Sequence, residues 1–121
     1  MIKLNTIVPV LLTKLFYPLL TERKGKKSAI INMGSVAGMA PSPVLCVYSC
    51  TKGLLRFFTL GLYPEVNRKI DTLCVSPGIV TTQLVNYYNE FGSCTPEYMV
   101  SNTLRQLGKH KKEVIPYWYH D

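Results

Sequence analysis

Hydrophobic and polar positions fall into blocks of two different periods along this chain. Leu4, Ile7, Val8, Leu11, Leu12, Leu15, Phe16 and Leu19 recur at i, i+3 and i+4, which predicts a helix over residues 3–22. Pro9 removes an amide donor and is expected to kink it, and Lys24-Gly25-Lys26 ends it. An amphipathic helix that covers the core is the expected outcome. Ser28–Met33, reading SAIINM, is a short Ile-rich run between a Gly-Lys turn and Gly34-Ser35, and it predicts a buried strand. Gly38, Pro41 and Pro43 make residues 36–43 a loop.

A second long helix is predicted from Val44 to about Arg68, with Val47, Leu54, Leu55, Phe58, Leu62 and Val66 available for burial. Pro64 argues against an unbroken last turn. Ile70–Val75, reading IDTLCV, is the second predicted buried strand, stopped by Ser76-Pro77-Gly78. Helices are then predicted over Thr81–Tyr88 and Pro96–Gly108, the latter with Thr95 as its cap and Pro96 in its first turn. Glu113–Tyr119 is a third strand, weakened by Pro116. Strands alternating with long helices imply crossover units, an α/β fold and a parallel sheet. Three strands are few for a doubly wound sheet, so the pattern reads as truncated.

Composition changes this picture little. The 121 residues are 47% hydrophobic and 17% charged, the balance of one ordinary globular domain rather than a disordered chain. The longest apolar tract, Ile7 to Leu20, is interrupted by Pro9, Thr13, Lys14 and Pro18. It is expected to be neither a transmembrane helix nor a signal peptide, so the chain expressed alone would be cytoplasmic. Cys46, Cys50, Cys74 and Cys94 have no Cys-x-x-Cys spacing, and the histidines are His110 and His120. No metal site is expected, and reduced core thiols are the default. The net charge of +7 comes from Arg23-Lys24-Gly25-Lys26-Lys27 and Lys109-His110-Lys111-Lys112. These read as solvated loops, with weak attraction to an anionic membrane face or a phosphate-rich ligand as the sharper alternative. No motif supports nucleic-acid binding.

The chemistry is carried by a constellation. Tyr48 and Lys52 are four residues apart on the second helix and share a face. Ser35 follows the end of the first strand, and Pro77-Gly78 with Thr82 follows the end of the second. Strand ends of this kind are where parallel sheets place ligand-facing residues. A phenol titrates near 10, so ionising one at neutral pH costs about 4 kcal/mol, and a neighbouring ammonium reduces that cost.

With Asn5, Ser35, Tyr48-x-x-x-Lys52 and Pro77-Gly78-Ile79-Val80-Thr81-Thr82, the sequence resembles the short-chain dehydrogenase/reductase family. The run from Ile31 to Lys52, INMGSVAGMAPSPVLCVYSCTK, is most similar to its branch of 17-beta-hydroxysteroid dehydrogenases and very-long-chain 3-oxoacyl-CoA reductases. The resemblance implies the second half of a Rossmann-like doubly wound parallel sheet, with residues 1–121 as one partial, catalytic domain and the dinucleotide-binding half absent. It makes Tyr48 the general acid or base, Lys52 its partner, and Ser35 the group holding the carbonyl. Asn5 would bind a water linking Lys52 to solvent. Tyr48, Lys52, Pro77, Gly78 and Thr82 would contact NADP(H) or NAD(H).

No glycine-rich dinucleotide turn occurs in the sequence. Cofactor affinity comes largely from that turn and the helix behind it, so negligible activity is expected of this chain. Two function classes follow. One is an oxidoreductase acting on steroid or long-chain 3-oxoacyl ketones, at the endoplasmic reticulum by resemblance. The other is a non-catalytic remnant serving as an interaction or dimerisation module. Self-association through the long helices or the exposed strand edge is expected in either case, with peripheral membrane contact left open. Tyr87, Tyr88, Phe91 and Tyr98 either line an apolar substrate pocket or belong to the core.

Overall fold

The structure, a computed structural model, describes residues 1–66, 69–85, 92–109 and 111–116. Three parallel strands lie in the order β1 (Ser28–Met33), β2 (Ile70–Val75), β3 (Glu113–Val114). Ser28 stands opposite Ile70 and Met33 opposite Val75, while Cys74 and Val75 face Glu113 and Val114. The first two strands have the boundaries their hydrophobic runs predict. The third is shorter within the described residues, and 117–119 of its predicted span lie outside them.

β2 is the central strand, and Ile70, Leu73, Cys74 and Val75 are each at most 1% exposed. Continuous burial of this kind belongs to a parallel strand covered on both faces. Leu73, Val75 and Val114 form the core cluster, with Ile31, Met99 and Leu107 packed against it.

The amino-terminal helical segment is divided into α1 (Ile2–Asn5) and α2 (Ile7–Thr21), with Thr6 between them at φ −122° and ψ −63°. Pro9 explains the position of the break. It has no N–H for the carbonyl of Asn5, and its ring would crowd that carbonyl in a continuous helix. The helical period was legible, but its destination differs from the expectation. All eight apolar residues assigned to a core-covering face, from Leu4 to Leu19, are exposed. A helix apolar on nearly every side can bury only one stripe against a sheet edge. Instead, α2 is tied to β1 at its end, where Ser28 Oγ donates to the Leu20 carbonyl at 2.8 Å. By length and composition alone, Ile2–Thr21 is also apolar enough to cross a membrane, although Pro9, Thr13, Lys14 and Pro18 had argued against that.

The long helix α3 (Cys46–Val66) continues through Pro64 instead of breaking there. Of its six residues predicted for burial, Leu55 and Val66 are buried and Phe58 and Leu62 half-buried, but Val47 and Leu54 are exposed. The buried face carries Ser49, Thr51, Gly53 and Thr59 as well, so much of it is small and polar. Asn32 Nδ2 on β1 donates to Thr59 Oγ1 at 2.9 Å, and Thr59 Oγ1 donates to the Leu55 carbonyl at 2.7 Å. This buried chain holds α3 against β1 where hydrophobic periodicity predicted only apolar contact.

The last helix, α4 (Pro96–Gln106), starts as predicted, with Tyr98 N–H donating to Thr95 Oγ1 at 3.3 Å. The helix predicted over Thr81–Tyr88 is a single 3-10 turn, Gln83–Val85, within the described residues, and residues 86–91 lie outside them. Cys74 and Cys94 are buried as expected, but Cys46 and Cys50 are exposed free thiols. In the second basic stretch, Lys112 Nζ sits 4.2 Å from the centroid of the Tyr63 ring, so it is packed on α3 rather than only solvated.

Arg56 on α3 meets Glu113 on β3 in a two-pronged ion pair, Nε to Oε1 at 2.7 Å and NH2 to Oε2 at 2.8 Å. The pair raises the Arg56 guanidinium further above its ordinary range, chiefly through the side-chain hydrogen bond. Ser76 Oγ adds a third bond to Glu113 at 3.0 Å. Arg56→Met is expected to lower stability by about 1–2 kcal/mol, because Glu113 loses two charge-assisted bonds in a partly shielded site. Urea unfolding monitored by circular dichroism measures the change.

Candidate active site

Parallel pairing with Met33 opposite Val75 brings the carboxyl ends of β1 and β2 side by side. The chain leaves β1 through Gly34, where an added Cβ would stand 2.8 Å from Ser76 Oγ and 3.1 Å from Cys74 Sγ. A larger residue would have to push aside the Ser76 hydroxyl, which is bonded to Glu113, and would crowd the Val75 carbonyl at 3.2 Å. Val36 N–H donates to the Pro77 carbonyl at 3.1 Å, so the segments carrying Ser35 and Pro77 are joined directly.

Ser35 is buried and extended, and its Oγ accepts from Ala37 N–H at 3.2 Å, starting the 3-10 turn Val36–Gly38. That turn lies on the backbone of α3. A Cβ on Gly38 would meet Lys52 C at 2.7 Å and Gly53 N at 2.8 Å, and a Cβ on Gly53 would meet the Gly38 carbonyl at 3.3 Å. Two glycines thus let the Ser35 segment and the Lys52 turn of the helix approach to backbone contact.

Lys52 reaches across this junction. Its Nζ donates to the Met33 carbonyl, the last of β1, at 2.7 Å and stands 5.8 Å from the centroid of the Tyr48 ring. Burial lowers the Lys52 ammonium below its ordinary range, opposed by a smaller effect from Cys74. Burial also pushes the Cys74 thiol up, which keeps it protonated beneath the site.

Asn5 Nδ2 donates to Thr51 Oγ1 at 3.2 Å, and Thr51 Oγ1 donates to the Tyr48 carbonyl at 2.7 Å. Asn5 therefore joins the turn of α3 that separates Tyr48 from Lys52. Beyond Pro77-Gly78 the chain forms a parallel bridge between Val80 and Cys94, and Thr81 N–H donates to the Cys94 carbonyl at 2.9 Å. Thr82 precedes the 3-10 turn, and its carbonyl accepts from Val85 N–H at 3.1 Å. Ser35, Tyr48, Lys52, Asn5, Pro77 and Gly78 gather around one sheet edge, with Thr82 on the segment leaving it. Of the aromatic residues suggested for a substrate pocket, Tyr98 is exposed on α4, and Tyr87, Tyr88 and Phe91 lie outside the described residues.

Reasoning from the sequence did not single out Gly38 with Gly53, or Arg56 with Ser76 and Glu113. Gly38 had read only as loop punctuation. A glycine one residue beyond Lys52, in an otherwise unbroken helix, was the available signal for a close backbone crossing.

The sequence profile described as short chain dehydrogenase matches residues 1–92. The very-long-chain 3-oxoacyl-CoA reductase of Anas platyrhynchos is 34% identical over 110 residues, covering 89% of this chain and 35% of that protein. Very-long-chain 3-oxoacyl-CoA reductase-B of Danio rerio is 36% identical over the same shares. The chain thus spans about a third of the length of these curated relatives. A solved short-chain dehydrogenase from Sphingobium yanoikuyae in complex with NADPH superposes with a TM-score of 0.80 at 27% identity, over 97% of this chain and 47% of that one. The α/β sheet described above is accordingly Rossmann-like.

Gly38→Ala is expected to cost about 1–3 kcal/mol, because its Cβ falls on the backbone of Lys52 and Gly53. The same substitution should weaken the Lys52–Met33 bond, which is read from the exchange rate of the Lys52 ammonium protons by NMR. Lys52 gives a second expectation. Its depressed folded-state value means that the unfolded chain binds more protons between that value and 10.5, so its contribution to stability rises with pH across that window. Urea midpoints of wild type and Lys52→Met should diverge in wild type's favour as pH climbs toward 10.5. Parallel pH curves would remove the basis for this expectation.

Proposed function

The chain belongs to the short-chain dehydrogenase family, and on that premise we propose that it carries the catalytic half of a nicotinamide-dependent ketone reductase. The observation carrying this reading is the Lys52 ammonium, fixed on the Met33 carbonyl and 5.8 Å from the Tyr48 ring centroid, at the sheet edge that also bears Ser35. Tyr48 donates a proton to the carbonyl oxygen in reduction and takes one back in oxidation. The Lys52 ammonium stands beside the ring that exchanges this proton, and the Ser35 hydroxyl holds the carbonyl oxygen in place. Asn5 steadies the Tyr48–Lys52 turn through Thr51, the position from which it would also order a water toward Lys52.

The bound cofactor supplies the hydride. Tyr48, Lys52, Pro77, Gly78 and Thr82 are the residues that would hold its nicotinamide end: a cation and a phenol on one side, a proline-glycine backbone on the other. The NADPH-bound relative favours NADP(H) over NAD(H). The 121 residues contain no glycine-rich turn for the pyrophosphate end. We therefore infer negligible turnover by the chain alone, despite an assembled proton-transfer site. Its 3-oxoacyl-CoA reductase relatives favour an apolar long-chain 3-oxoacyl substrate over a steroid. We propose an endoplasmic reticulum location from the family branch, a reading with which the apolar Ile2–Thr21 helix is compatible.

The exposed apolar residues of α1 and α2 favour a second reading, an interaction or dimerisation module. The free edge of β1 supports self-association in the same way. Both readings separate in one experiment. NADPH oxidation with a long-chain 3-oxoacyl-CoA is measured for the chain alone and for the chain mixed with the glycine-rich half of a relative. Turnover should be absent alone and present in the mixture, and Tyr48→Phe should reduce the latter by about 100-fold or more. A silent mixture, with the chain sedimenting as a dimer or larger, would favour the interaction module. Turnover by the chain alone that Tyr48→Phe abolishes would refute the inferred inactivity.

A further inference from the structure

A cleft of about 530 Å³ lies between the 38–43 segment and the first turns of α3. Met39, Pro43 and Phe57 contribute apolar wall, and Cys46, Ser49 and Cys50 line it from the helix. Ser35, Tyr48 and Lys52 are not among the lining residues, so its chemistry is separate from the proton-transfer site. The volume is that of a small-molecule site, and a few convergent polar groups in an apolar cleft are its usual signature.

Ser49 is 7% exposed, and its Oγ is buried without a hydrogen-bond partner among the described residues. A buried hydroxyl of this kind is left with a donor and acceptors to offer a ligand. Cys46 and Cys50 are free, exposed and one helical turn apart. An apolar wall, an unpaired hydroxyl and two accessible thiols together suit one ligand chemistry: an alkyl chain ending in an acyl electrophile.

We propose that this cleft is an S-acylation site that accepts the acyl group of a long-chain acyl-CoA thioester on Cys46 or Cys50. The cysteine sulfur, as thiolate, attacks the thioester carbonyl carbon. The new carbon–sulfur bond forms, the bond to the CoA sulfur breaks, and the CoA thiolate leaves and takes up the proton lost by the cysteine. No electrons are exchanged with any other species. Ser49 Oγ–H donates to the carbonyl oxygen as charge develops on it, and the alkyl chain lies along Met39, Pro43 and Phe57. The buried Cys74 and Cys94 are not reached.

The purified chain is incubated separately with palmitoyl-CoA and acetyl-CoA below micellar concentration, and acylation is followed by intact mass and peptide mapping. One hydroxylamine-labile palmitoyl group per chain is expected, on Cys46 or Cys50 and absent from the Cys46→Ser/Cys50→Ser double variant. Burial of two methylenes is already worth about tenfold, so palmitoyl transfer should exceed acetyl transfer by at least that factor. Ser49→Ala should slow palmitoyl transfer about tenfold or more with an unchanged circular dichroism spectrum. Phe57 is 68% exposed, so Phe57→Ser keeps the test open even where Ser49→Ala does not fold. It should erase most of the chain-length preference. Equal rates for the two thioesters, or equal labelling of the urea-unfolded chain, would overturn the proposal.

Discussion

The backbone contact between Gly38 and the Lys52–Gly53 stretch of α3 is the constraint on which the site depends. A Cβ at Gly38 would stand 2.7 Å from Lys52 C, so no other residue type permits this approach without movement. The contact brings the segment after β1 down onto the helix, and the Lys52 side chain can then reach the Met33 carbonyl. That placement also gives the Lys52 ammonium the burial that lowers its proton affinity.

Polar groups reinforce the same placement by tying α3 to both edge strands. Asn32 and Thr59 join β1 to α3 in the interior, where an unmade bond would cost more than a made one contributes. Arg56, one turn beyond Lys52, is held by Glu113 at β3, and Ser76 ties that carboxylate to the end of β2. The helix carrying Tyr48 and Lys52 is thereby referenced to all three strands. Hydrophobic burial alone is non-directional and would leave its axial position looser. Hydrogen bonds of defined geometry restrict the slide along the helix axis that would most disturb Lys52.

The amino-terminal helices show the opposite condition. Their apolar residues are exposed along most of their length, while every residue of the central strand except Asp71 is buried. The open sheet edge at β1 and a helix apolar on several sides present surfaces that water solvates poorly. The cleft beside α3 differs from them, because it combines its apolar wall with an unpaired hydroxyl and thiols and so offers directional chemistry.

Sequence by itself determined the fold class, both major strands to the residue and the Thr95 cap of α4, and it pointed to Ser35, Tyr48, Lys52 and Pro77-Gly78 as candidate residues. Each of these rests on local information: a run length, a period, a capping side chain or a spacing along one helix. Tertiary structure decided what those segments face. Period told that α2 is helical but could not tell that little would cover it, because burial depends on the neighbours available. It also placed Val47 and Leu54 in the interior, whereas the close approach allowed by Gly38 and Gly53 turned the small polar face of α3 inward. The Arg56–Glu113 pair joins residues far apart in the chain, and the unpaired Ser49 hydroxyl is defined by what surrounds it. Neither leaves a local signature, since long-range partnership and desolvation exist only once the elements have packed.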